Sequence, residues 1–141
     1  MHAALQELRD VAHGVLPAML AQGGLRPALD DVVERLPLTV HLDIAHGRWP
    51  ASVETTAYFI ACEALANVAK HATADHADVR ITAPGSQLRV EVLDNGRGGA
   101  DPRRGTGLAG LADRARAIGG ELTVQNRPSG GTVLEAVLPC E

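Results

Sequence analysis

The feature that most constrains this chain is one long, alanine-rich stretch in which apolar residues predominate. Ser52 is a plausible N-cap for it, and Glu54 lies in the first turn, where a carboxylate suits the helix dipole. From there to about His71 the composition predicts one continuous helix. Polar side chains on the buried side of such a helix cost desolvation free energy unless they have partners.

Within that helix, Glu63, Asn67 and His71 recur every four residues, with Lys70 beside the last of them. Positions four residues apart share one helix face, so these side chains form a polar row. An asparagine oxygen suits Mg²⁺, and a lysine suits phosphate as a point charge. The spacing alone leaves two interpretations open, a magnesium and phosphate site or a solvated polar face.

Five segments are predicted to be strands. Leu38, Val40, Leu42 and Ile44 alternate with polar residues, which is the period of two of a strand. The predicted strands are 38–44, 77–82, 88–93, 121–125 and 132–138. The second and third should form a hairpin, because a Pro-Gly-Ser turn joins them. With three or four helices mixed among the strands, the sequence predicts an α+β fold in which helices cover one face of a mixed or antiparallel sheet.

The N-terminal residues 1–37 have helical periodicity. Apolar residues at 5, 8, 11, 12, 15 and 16 follow it, and Pro17 predicts an end or a kink. Gly23 and Gly24 predict a break, and 25–36 a second helix closed by Pro37.

Composition excludes several classes of protein. The chain has 141 residues, enough for one domain, with a formal net charge of −4 and 2% aromatic residues. Nucleic-acid binding through phosphate contacts or base stacking is therefore not expected. Two cysteines without metal spacing fit a reducing, cytoplasmic setting. No apolar run is long enough to span a membrane, and the N-terminus does not resemble a signal peptide.

Three glycine-containing segments follow the polar row. The first contains Asp94, Gly96 and Gly98 after an apolar strand; glycines let a ligand approach the backbone, and the carboxylate can accept from the exocyclic amine of a base. A common Asn-Gly β-turn is the alternative. The second contains Gly105, Gly107 and Leu108 at a helix start, where backbone N–H groups can bind an anion.

This second segment is neither a Walker loop, because the Lys-Ser/Thr ending is missing, nor a convincing dinucleotide fingerprint. The third segment, Gly130, Gly131 and Thr132, opens the last strand. The Thr132 hydroxyl could support a bound base through water, although a turn before a strand explains the segment equally well.

The order of these motifs resembles the nucleotide-binding domain of the GHKL ATPases. The stretches ACEALANVAKHATA, LDNGRGG, GTGLAGLADRARAIGGELTV and GGTVLEAVLP resemble the NarL/DesK-type sensor histidine kinases. LRDVAHGVLPAMLAQGGLRPAL resembles the end of the second dimerisation helix and the linker in that family. The resemblance implies a GHKL (Bergerat) α/β sandwich over residues 38–141, with 1–37 as a remnant of dimerisation helix and linker.

The resemblance also implies a role for each motif residue in binding ATP and Mg²⁺. Asn67 would coordinate Mg²⁺, and Glu63 would lie near the γ-phosphate as the catalytic candidate. Lys70 and His71 would face the phosphates, and Asp94 would bind the adenine amino group. The remaining residues expected to bind the nucleotide are Gly96, Gly98, Gly105, Gly107, Leu108 and Thr132.

In that family the phosphate acceptor is a histidine on an earlier helix, in a motif that is missing here, so we expect a truncated chain that phosphorylates itself poorly or not at all. The expected partners are the dimerisation and phosphoacceptor helices of the same kinase and a response regulator, with no membrane contact by this segment. The alternatives are an anti-sigma-factor-type serine kinase and a non-catalytic nucleotide-binding module. A gyrase- or Hsp90-like ATPase is less compatible with so short a chain.

Overall fold

The computed structural model of the protein describes residues 18–71, 74–96 and 108–140. The helices in these ranges are α1 (Ala18–Gly23), α2 (Leu25–Glu34), α3 (Ala51–His71) and α4 (Leu108–Ala117). The strands are β1 (Thr39–Ile44), β2 (His76–Thr82), β3 (Gln87–Asp94), β4 (Glu121–Asn126) and β5 (Thr132–Pro139). All five predicted strands and the long helix are confirmed. The helical periodicity before residue 17 and the glycines at 98, 105 and 107 lie outside the described residues.

The five strands form one mixed sheet in the order β1-β2-β3-β5-β4. β1 pairs with β2 in parallel, with α3 as the connection between them, and the other three pairings are antiparallel. The predicted hairpin of β2 and β3 is therefore present. Helix α3 packs across β2, β3 and β5, and α4 packs on β4 and β5. The α+β architecture expected from the sequence is confirmed.

The core lies between the helices and one face of the sheet. Along β3, Leu88, Val90 and Val92 are buried and alternate with partly exposed residues. Asp94 takes the next core-facing position, with only 4% of its surface exposed. The strand period thus carries the carboxylate of Asp94 to the end of the buried face, where a polar group needs partners.

Helix α2 belongs to the same core as α3. Leu25, Leu29 and Val32 are buried and form one cluster with residues of α3 and the sheet. The predicted division at residue 37 thus falls between α2 and β1, two elements that pack against each other. The assignment of 1–37 as remnant and linker stays a prediction.

The beginning of α3 differs from the prediction. The carbonyl of Pro50 accepts hydrogen bonds from the backbone N–H groups of Val53 (2.9 Å) and Glu54 (3.0 Å). Ser52 therefore lies inside the first turn and is not the N-cap. Pro50 thus holds the N-cap position, where its carbonyl accepts the first helical hydrogen bonds and its missing N–H is not needed for helix bonding.

Within the described ranges, no helix is both long enough and apolar enough to cross a bilayer.

Candidate functional site

The polar row predicted on the long helix divides into buried and exposed members. Glu63 is buried, with 7% of its surface exposed, although most of its neighbours on α3 are apolar. Asn67 follows one turn later and is half-buried, and Lys70 is exposed. His71 is the last residue of α3, and its side chain lies outside the description. The row therefore enters the interior at Glu63 and reaches solvent at Lys70.

The side-chain amide of Asn67 is in an unusual position. Both its Oδ1 and its Nδ2 are buried, and neither has a hydrogen-bond partner among the described residues. Leaving a buried polar group without a partner costs about 1–3 kcal/mol, so native proteins seldom do it without a reason. Such an amide fits a ligand that supplies a cation for its oxygen and a hydrogen-bond acceptor for its N–H group.

Asp94 is held in a fixed orientation at the end of β3. Its Oδ1 accepts a hydrogen bond from the backbone N–H of Gly96 at 2.8 Å. This bond closes a local turn of the kind that aspartate favours. A carboxylate has several acceptor positions, and this bond uses one of them. Helix α3 packs on β3, so the polar row and Asp94 are carried by elements in direct contact.

The start of β5 packs against the backbone of Asp94. Gly131 has a φ of +90°, and an ideal Cβ there would lie 2.9 Å from the carbonyl carbon of Asp94 and nearer still to its oxygen. Only glycine fits both the conformation and the space. Arg127, in the turn before β5, donates from Nη1 to the Asp94 carbonyl oxygen at 3.3 Å. Thr132, next to Gly131, is buried with 9% exposed.

Asn95 connects the site to the beginning of β2. Its Oδ1 accepts from the backbone N–H groups of Asp75 (3.3 Å) and His76 (3.2 Å). Its Nδ2 donates to the Asp75 carboxylate at 2.8 Å. The Asn-Gly dipeptide, which alone would indicate a β-turn, thus ties the chain that follows α3 to the end of β3.

Helix α4 joins the core from its first residue. Leu108 is buried with 4% exposed, together with Leu111 and Ala115 on the same face. The guanidinium of Arg114 lies 4.3 Å from the ring centroid of Phe59 on α3, a cation–π contact between the two helices. In the described part of the chain, no three His, Cys, Asp or Glu side chains are grouped to hold a metal ion.

Several contacts around the site are not evident from the sequence. Arg127 and Asn95 act through long-range hydrogen bonds that no local pattern predicts. The sequence explains Glu54 through the helix dipole alone, whereas the structure pairs it with Arg48. The only sequence signal for that pair is a basic residue six positions before the glutamate, with Trp49 and Pro50 between them.

Comparison with known proteins places the chain in a family. The histidine kinase-, DNA gyrase B- and HSP90-like ATPase family matches residues 52–141, which begin in the first turn of α3. Sensor histidine kinase YxjM of Bacillus subtilis is 38% identical over 140 residues, which are 96% of this chain and 34% of that protein. The chain thus spans about a third of the length of this curated relative.

Solved structures show the same fold. The blue-light activated histidine kinase of Erythrobacter litoralis EL346 superposes with a TM-score of 0.68 at 24% identity, covering 97% of this chain and 45% of that one. The ATP binding domain of PrrB from Mycobacterium tuberculosis gives a TM-score of 0.61 at 25% identity, covering 79% of this chain and 88% of that one. The motif order, the five-stranded sheet and these matches agree: the chain belongs to the histidine kinase-, DNA gyrase B- and HSP90-like ATPase family.

Proposed function

We propose that the chain binds Mg²⁺–ATP and presents its γ-phosphate to a histidine on the dimerisation helices of a two-component sensor kinase. The observation that carries this proposal is the buried, unpartnered amide of Asn67 among the described residues, one turn after the buried carboxylate of Glu63. The relatives' names support the kind of kinase, and the reaction needs positioning and electrostatics more than covalent chemistry.

Asp94 binds the adenine in this proposal. Its Oδ1 is engaged by Gly96, which fixes the carboxylate so that the other oxygen accepts from the adenine amino group. Thr132 supports the base from the start of β5. Gly131 and Arg127 hold the Asp94 backbone in place. Gly96 and Gly98 bind the nucleotide after the end of β3; Gly98 lies outside the described residues.

Asn67 holds the metal through its amide oxygen. Mg²⁺ accepts few protein ligands and takes the rest from phosphate oxygens and water, which fits a site with one amide oxygen. When bound, the ion neutralises charge that develops on the phosphates. Lys70 and His71 contribute at the phosphate end, with Gly105 and Gly107 offering backbone N–H groups before Leu108. Glu63 orients or polarises the attacking imidazole.

The partners follow from this reaction. The acceptor is the phosphoacceptor helix of the same kinase, whose histidine motif is not present in this sequence, and a response regulator takes the phosphate afterwards. The setting is the cytoplasm, where ATP is supplied. The serine-kinase and non-catalytic alternatives lack a specific observation in their favour, and the relatives named sensor histidine kinases are against them.

The test is to titrate Asp94→Asn with ATP and with GTP. The asparagine Oδ1 can still accept from Gly96, so the fold should be kept, but its amide N–H₂ would face the adenine amino group donor to donor. We expect ATP affinity to fall about ten- to a hundred-fold and the preference for ATP over GTP to shrink, because the asparagine amide can donate to the guanine O6. Asp113→Asn, which changes the same group on an exposed part of α4, is the matched control. Unchanged ATP affinity in Asp94→Asn would remove the adenine role.

A further inference from the structure

One arginine outside the nucleotide site joins two helices. The guanidinium of Arg48 donates from Nε to Oε2 of Glu54 at 2.9 Å and from Nη2 to Oε1 at 3.1 Å, a bidentate pair. It also donates to the carbonyl oxygens of Ala21 at 3.0 Å, Gln22 at 3.2 Å and Leu20 at 3.4 Å. Arg48 therefore connects the last turn of α1 with the first turn of α3.

The carbonyl groups that Arg48 reaches are the ones that a helix leaves without partners. The last four carbonyls of an α-helix have no intrahelical donor, and a basic side chain there satisfies them and the helix dipole. The backbone N–H of Gly24 donates to the carbonyl of Leu20 at 3.0 Å, which supplies one further donor. Arg48 is thus the side chain that closes the end of α1.

Arg48, Glu54 and the three α1 carbonyls form a joint between α1 and α3, and the two sides of this joint differ in strength. The side chain of Glu54 is 4% exposed, and its Oε2 also accepts from the backbone N–H of Trp49 at 3.2 Å. The side chain of Arg48 is 48% exposed, and its bonds to Ala21 and Gln22 are on the surface. Buried, charge-assisted bonds are harder to replace by water than exposed ones. Glu54 is therefore the firmer of the two attachments of Arg48.

The turn after α1 is built around the same side chain. Gly24 has a φ of +85°, and an ideal Cβ there would lie 2.9 Å from Cδ of Arg48 and 3.5 Å from Oε2 of Glu54. A side chain at this position would push against the pair. The glycine, the arginine and the glutamate thus fit one another as a unit.

We propose that Arg48 is a positioning residue which, anchored by Glu54, fixes the direction in which α1 leaves the ATP-binding unit. Glu54 lies on α3, the same helix that carries Glu63 and Asn67. A single helix transmits the orientation of its first turn to its later turns as a rigid element. Its use in bringing the γ-phosphate to an acceptor outside the domain rests on the proposed function; the joint itself does not.

The geometry distinguishes arginine from any other cation. Lysine keeps the charge but offers one ammonium group, which cannot donate hydrogen bonds to both carboxylate oxygens and three carbonyls at once. If positive charge alone held α1, Arg48→Lys would keep α1 protected from exchange. If the paired N–H groups of the guanidinium are needed, Arg48→Lys should lose that protection as Arg48→Gln does.

The test is amide hydrogen exchange of residues 18–24 in the parent chain, Arg48→Lys and Arg48→Gln. We expect exchange in residues 18–24 to rise about ten-fold more than exchange in β3 in both variants, because the unpaired Glu54 raises exchange throughout the chain, while nucleotide affinity stays within about two-fold. Arg116→Gln breaks an exposed pair with Asp113 and should leave all three unchanged. Gly24→Ala should speed α1 exchange from the other side of the joint, whereas Gly85→Ala, also at positive φ but with open space around it, should not.

Three results would overturn the proposal. The first is protection of α1 in Arg48→Lys equal to that of the parent chain, since charge would then suffice. The second is an α1 that is unprotected in the parent chain. The third is a loss of protection in β3 equal to that in α1, because Arg48 would then support the whole fold and no particular direction. Exchange is measured without nucleotide, so a failure of ATP binding leaves this test intact.

Discussion

Gly131 and Asp94 are in such close contact that no side chain fits between them. The φ of Gly131 is +90°, and its absent Cβ would come within 2.9 Å of the Asp94 carbonyl carbon. The start of β5 therefore fixes the position of the Asp94 backbone at the end of β3. The Asp94 carboxylate is the proposed adenine acceptor, so its position depends on Gly131, a glycine that follows β4 in the sequence.

Replacing Gly131 with alanine should damage both the fold and the site. The positive φ and the backbone clash together should lower the free energy of unfolding by about 3 kcal/mol or more, and nucleotide binding should be lost. Gly85→Ala is the matched control, because Gly85 has a φ of +63° and nothing within 4 Å of the position that an added methyl group would take. It should cost about 1–2 kcal/mol and leave binding unchanged. Chemical denaturation and ATP titration of both variants measure the difference.

Asn67→Ala should separate stability from binding. Because both amide atoms are buried without a described partner, their removal should change the free energy of unfolding by less than about 1 kcal/mol, or raise it. The Mg²⁺-dependent part of ATP affinity should disappear. Denaturation and titration with and without Mg²⁺ provide both numbers. A large loss of stability would show that the amide has a structural partner, and a persistent metal response would place the metal ligand elsewhere.

Asn95→Ala should give the opposite pattern at a second asparagine. Three hydrogen bonds link Asn95 to Asp75 and His76, so its truncation should lower the free energy of unfolding by about 1–2 kcal/mol. The metal response of ATP binding should remain. Comparing the same substitution at 67 and 95 therefore controls for the loss of an amide. Equal stability effects at the two positions would contradict the contrast in their hydrogen bonding.

Stability should fall at alkaline pH because of Cys62. Burial raises the pKa of the Cys62 thiol from 9.0 to about 12, and burial also raises the pKa of Tyr58. In the unfolded chain these groups lose protons at lower pH, so ionisation favours unfolding. The stability that the neutral Cys62 thiol contributes is complete below pH 9. It is lost as pH rises toward 12, by about 1.4 kcal/mol of unfolding free energy per pH unit.

Denaturation of the reduced chain from about pH 8 to about pH 10 measures this effect. Cys62→Ala should be less stable at the lower end of this range, because it leaves a cavity, but its stability should fall less steeply toward the upper end. Cys140→Ala, at a more accessible position, should keep a slope close to that of the parent chain. A Cys62→Ala slope equal to that of the parent chain would assign the alkaline sensitivity to another group.

The fold was largely predictable because its signals are local. Alternation at Leu38 to Ile44 and the long apolar helix fix strands and helix by their periods, and the Pro-Gly-Ser turn fixes the hairpin. What sequence could not supply is the contact between distant elements. The reason for Gly131 lies in the backbone of Asp94, and the partner of Glu54 lies on a loop that also reaches α1.

The site was predictable to a similar extent. The spacing of Glu63 and Asn67 placed them on one face of α3, but the burial of one and the unpartnered amide of the other, within the described residues, depend on tertiary packing. Asp94 was singled out by type and position, whereas its orientation by Gly96 and its support by Arg127 are long-range or conformational properties.

The most direct test of the central claim is calorimetric titration of this chain with a non-hydrolysable ATP analogue, with and without Mg²⁺. The account predicts one site whose affinity increases when Mg²⁺ is present. Absence of binding at millimolar nucleotide, or binding that ignores the metal, would contradict it.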